Sequence, residues 1–149
     1  MKLRIKRKKG QSLVEAVVAV AVVLLLVTGL IVATTASLRN SSLSKYRTQA
    51  TNHAKEGMEQ VRKLRDTSWQ DFITKSGKYC LASTNEWTQL GTDETCPINV
   101  GNIFSREVTF TYYPANETMN VLITMYWIEG NWEQSINFVS LFTRWRTDE

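Results

Sequence analysis

The 149-residue chain has little of what enzymes are commonly built from. It holds one His and two Cys, so a zinc site of four Cys and His ligands is excluded. Its seven Gly form neither a Walker nor a dinucleotide-binding pattern. No run of alternating acids closed by Gly is present, which excludes a calcium loop of the EF-hand kind. His53, among Asn52 and Lys55, reads as solvent-facing, and no Cys or Ser motif sets it up as a base. The expectation is therefore a protein with no catalytic residue, cofactor or metal. Positive charge is also scarce over most of the chain. Six of the 18 bases (Lys2, Arg4, Lys6, Arg7, Lys8, Lys9) lie in the first nine residues, and from Gln11 onward 12 bases face 14 acids. A body so balanced is not expected to bind nucleic acid, which needs Lys and Arg gathered on one face. Disorder is excluded by 43% hydrophobic residues and five Trp.

Charge is missing altogether from Ala16 to Leu38, 23 positions rich in Val, Leu, Ala and Ile. A helix of that length reaches roughly 35 Å, enough to cross a bilayer. The bases precede it, so the positive-inside rule places the N-terminus in the cytoplasm and the body outside. A cleaved secretory signal is the rival reading, but its apolar core would run to only about 7–15 residues. Ala33-Thr34-Thr35-Ala36 is a poor cleavage site of that kind.

Glu15 stands at the head of the apolar run. A carboxylate within a spanning segment costs a few kcal/mol unless it finds a partner. One reading leaves it among wet headgroups. The other needs the chain cut before Gln11, which would create an α-amine near the depth of Glu15 for a neighbouring chain's carboxylate. Gly10-Gln11-Ser12-Leu13-Val14-Glu15, between a short basic leader and an apolar helix, resembles the processing site of type IV pilins and type II secretion pseudopilins. The resemblance implies cleavage between Gly10 and Gln11 by a prepilin peptidase, methylation of the Gln11 amine by the same enzyme, and a role for Glu15 in guiding assembly. Gln11 departs from the Phe usual at the first mature position.

Beyond Arg39 the apolar residues Leu43, Tyr46, Ala50, Ala54, Met58, Val61 and Leu64 recur at steps of three and four, the stripe of an amphipathic helix. No Pro occurs before Pro97, so one helix is expected from Ser12 to about Arg65. Gly57 on it suits close approach of a strand or loop. The stretch from Ala54 to Asp66 is similar to one common in minor-pilin-like proteins. Major pilins of the family often carry a Pro in the membrane half of this helix; here only Thr28 and Gly29 soften it.

Residues 69–100 read as polar and irregular with scattered aromatic anchors, and residues 78–81 as a short strand. Cys80 and Cys96 flank 15 residues. Outside the cytoplasm they read as a disulfide, with two free thiols as the alternative in a host that does not oxidise exported proteins. From Arg106 the period becomes two. Val108, Phe110 and Tyr112 form one face, Val121, Ile123, Met125 and Trp127 another, and Ile136 and Phe138 begin a third. Val139 and Leu141 load the opposite face of that last run, which predicts cover on both sides or a bulge near Ser140. Pro114 to Glu117 and Gly130-Asn131 supply the turns.

The expected fold is α+β: a long N-terminal helix, spanning in its first half and amphipathic in its second, packed on an antiparallel sheet of three to four strands. The expected divisions are a leader at 1–10, a membrane and assembly half at 11–38, and an extracytoplasmic body at 39–149. The run from Val121 to Trp127, followed by the Gly hairpin and a terminal Trp145, is similar to the end of minor pilins and of one small pseudopilin type. The resemblance implies an inner-membrane precursor, then a pilus or pseudopilus. Its partners would be the peptidase, other pilin subunits and the inner-membrane assembly platform. Three functions stay open: a minor pilin or pilin-like subunit, a secretion pseudopilin, and a bitopic surface binding protein that keeps its leader.

Overall fold

The computed structural model describes residues 9–91 and 93–144, with side chains from residue 13 onward. The basic leader before Lys9 and the terminal Trp145 lie outside the described residues. Two compact units divide the chain, Met1–Leu43 and Ser44–Glu149.

Helix α1 (Lys9–Thr67) contributes to both units. In the first unit its surface is apolar and uncovered, from Leu13 to Leu38. It is the one helix among the described residues long and apolar enough to cross a membrane. The hydroxyls of Thr28, Thr34 and Thr35 bond back to carbonyls one turn earlier, which satisfies them without water. No Pro interrupts α1, and it stays helical through Thr28 and Gly29.

In the second unit the stripe of α1 is the core face. Ala50, Ala54, Met58 and Val61 are buried, with Tyr46 and Leu64 packed at the rim. Ser68 then caps a short helix, α2 (Trp69–Thr74), by accepting a hydrogen bond from Asp71 N at 3.2 Å. That turn delivers Phe72 edge-on to Phe110 and Phe142, at 5.9 and 5.6 Å between centroids.

The sheet has five antiparallel strands in the order β2-β1-β3-β4-β5. They are β1 (Gly77–Leu81), β2 (Trp87–Gln89), β3 (Ser105–Tyr113), β4 (Thr118–Glu129) and β5 (Trp132–Thr143). This is one strand more than the upper expectation: β2 and helix α2 lie in the segment expected to be irregular. A 3-10 turn at Pro114–Asn116 links β3 to β4, and Glu117 closes it in the left-handed region. Gly130, at φ 63°, makes the two-residue hairpin between β4 and β5.

One face of the sheet lies on the amphipathic half of α1. Val108 and Phe110 of β3, the odd residues Met119 to Trp127 of β4, and Phe142 of β5 are buried there. The other face carries Cys80, Glu107, Thr124 and Tyr126. Neither expectation for the end of β5 holds. Pairing with β4 runs unbroken through Ser140, so there is no bulge, and Val139 and Leu141 are 65% and 66% exposed. β5 is an edge strand whose second face is bare among the described residues, so its apolar residues there do not signal burial.

Candidate functional site

The first functional segment is the start of α1. Gly10 and Gln11 lie within the helix, and Glu15 follows Gln11 by four residues. Four residues are about one turn, a rise of roughly 6 Å. Glu15 is exposed, as is every residue from Leu13 to Leu38. It is the sole acid between Gln11 and Glu56. The arrangement is one carboxylate at the head of an uncovered apolar rod, one turn from Gln11.

Residues 5–31 match the family model of the prokaryotic N-terminal methylation motif. The chain carries the type IV pilin and pseudopilin signature. The match spans Gly10, Gln11 and Glu15 and ends within the apolar half of α1. No curated protein and no solved structure matches the chain. The pilin signature thus rests on the first helix, and the fold of the body agrees with it: a long N-terminal helix on an antiparallel sheet.

The second site lies in the body. Cys80 at the end of β1 is bonded to Cys96, with Cα atoms 5.5 Å apart. The bond fastens the loop before β3 to the strand beside it. Serine at Cys80 is expected to lower body stability by about 3 kcal/mol, because the unfolded chain gains the freedom of a loop of about 15 residues. Leader removal should be unaffected, and a denaturation midpoint equal to the parent's would show that the bridge contributes nothing.

Arg106 is the residue that sequence reasoning missed. It is 2% exposed, and its guanidinium donates to three carbonyls, one on α1 and two at the end of β1. Nη1 reaches His53 O on α1 at 2.8 Å, Nε reaches Leu81 O at 2.9 Å, and Nη2 reaches Ala82 O at 2.9 Å. Its own amide donates to Asn99 Oδ1 at 2.9 Å. One side chain therefore ties helix, strand end and disulfide loop together. Burial pushes its pKa down, and the charge of Glu56 pushes it back up. Gly57 is what admits it: a Cβ there would stand 3.0 Å from Arg106 Cδ and 3.3 Å from Ile123 Cδ1. The signal was available, since Arg106 shares the parity of Val108 and Phe110 and so had to point inward.

His53 departs from the solvent-facing expectation. Its ring packs on Phe104 at 5.6 Å between centroids, and Nδ1 lies 3.0 Å from Glu56 Oε2. It packs against the core.

Proposed function

We propose that the chain is a minor pilin or pilin-like structural subunit of a bacterial type IV pilus. The observation that carries this reading is the methylation motif, with Glu15 one turn beyond Gln11 on an uncovered apolar helix. A prepilin peptidase removes residues 1–10 and methylates the Gln11 amine. The six bases of the leader hold the N-terminus in the cytoplasm, and the precursor sits in the inner membrane with its body outside. The assembly platform then moves subunits into a filament, where each Glu15 meets a neighbour's N-terminal amine. The chain has no enzymatic activity of its own. The unbroken α1, without Pro, suits a minor subunit better than a major one whose helix melts on assembly.

The test is the mass of the mature N-terminus in cells that contain a prepilin peptidase. The expected product begins at Gln11 and carries one added methyl group. A chain that still begins at Met1 or Lys2 would overturn the reading and favour a bitopic binding protein. If the leader is lost but no filament leaves the cell, the subunit belongs to a secretion pseudopilus instead.

A further inference from the structure

A cut after Gly10 would make Gln11 the first residue of a helix. α1 runs through this point from Lys9, and no acid stands in its first turn. A cation at a helix N-terminus is opposed by the macrodipole. The setting opposes it again, since the rod that follows is uncovered and free of charge from Ala16 to Leu38. A charge so placed is costly unless an acid answers it. Glu15 is the sole acid between Gln11 and Glu56, so at this end of α1 only Glu15 can do so.

The amine has a second way to shed its cost, one that the Phe usual at this position does not offer. An α-amine is partly unprotonated near neutral pH, and the unprotonated form carries a nucleophilic lone pair. Gln11 brings its own electrophile, a carboxamide whose capture by the amine closes an unstrained lactam ring. The amine nitrogen bonds to Cδ, the bond between Cδ and Nε2 breaks, and Nε2 leaves as ammonia with a proton from the amine. The product is pyroglutamate. Nothing is oxidised or reduced, and no co-reactant is consumed. The lactam nitrogen is neutral and gives a carboxylate no charge to pair with.

Methylation and ring closure therefore act on one nitrogen with opposite results. Methylation keeps the cation, and closure abolishes it. Closure and pairing also exclude each other. A carboxylate beside the amine favours its protonated form, which has no lone pair to attack with. A subunit held by a neighbour's Glu15 is protected, and one left alone in the membrane is not.

We propose that Gln11 is a second modification site: in mature chains that are neither methylated nor assembled it closes to pyroglutamate, which withdraws them from the filament. The inference rests on the filament reading above, since it needs the leader cut before Gln11.

The test uses the full-length chain in cells that contain the peptidase and the assembly platform. Sheared filaments and the membranes left behind are digested separately with trypsin, and the peptide spanning residues 11–39 is read by mass. Gln11 is the one side-chain amide in that peptide, so a mass lower by one ammonia reports closure there. Both fractions pass through the same digestion, so closure during handling adds equally to each. The unmethylated peptide is expected closed in the membranes and open in the filaments. The closed share should be at least about tenfold higher in the membranes, the factor by which a pairing of about 1.4 kcal/mol depletes the free amine. Gln11→Phe has no side-chain nitrogen to lose, and its peptide should keep its full mass. Equal closed shares in the two fractions overturn the proposal, as does an ammonia loss that persists in Gln11→Phe. A lost leader with Gln11 open in both fractions removes this inference and leaves the filament reading standing. A retained leader removes both.

Discussion

Alanine at Arg106 is expected to cost the body about 3–5 kcal/mol, a large share of the roughly 5–15 kcal/mol that holds a domain folded. The cost comes from what is left behind more than from what is removed. The carbonyls of Leu81 and Ala82 lose their donors, and the space over Gly57 empties. Lysine should recover only part of this loss, because one ammonium cannot reproduce the fork that spans His53, Leu81 and Ala82. All five Trp belong to the body, so their fluorescence during urea unfolding of the full chain in detergent reads this unit and not the apolar helix. A midpoint shift of roughly 1–3 M toward lower urea is expected for Arg106→Ala, given usual m values. A shift within error of zero would mean that the three hydrogen bonds carry no net stability.

Alanine at Glu15 should have the opposite character, leaving the folded subunit alone and damaging assembly. Insertion becomes easier by a few kcal/mol, because a carboxylate no longer enters the apolar layer. Leader removal should continue, since Gly10 and Gln11 are untouched. Filament incorporation should fall at least about tenfold, since a pairing worth only about 1.4 kcal/mol already sets that factor. The pairing is expected to exceed that, because opposite charges in a medium of low dielectric attract far more strongly than in water. Glutamine at the same position should fail nearly as badly, which separates charge from hydrogen bonding. Normal incorporation of Glu15→Ala subunits, counted by immunolabelling of sheared filaments, would remove the amine–carboxylate model.

The elements with a strong period were legible before any coordinates. The stripe from Tyr46 to Leu64 and the alternation in β3 and β4 state which faces are buried, and the core contains those residues. The disulfide and the Gly130-Asn131 hairpin were equally plain, since each depends on two residues whose chemistry allows few alternatives. What escaped was short or polar. Helix α2 has six residues and β2 three, too few for a period to show, although Ser68 three residues before Asp71 was a cap signal. Arg106 marks only the start of the alternation in the sequence reading, and Glu107 has no place in it. The alternation of β3 gives the inward direction of Arg106, but the partners that hold it, Ala82 and Gly57, lie far away in sequence. Val139 and Leu141 misled in the other direction, because an apolar residue on an edge strand is not obliged to be covered.

That edge has a consequence for anyone handling the protein. Among the described residues β5 leaves a row of backbone donors and acceptors open over twelve residues, and from Ser135 to Thr143 it has no charge and no proline to deter a visitor. Crowded preparations therefore carry a built-in route to cross-β fibres. Dilution, and not added salt, is the remedy this chemistry recommends, since salt would screen what little repulsion the copies have.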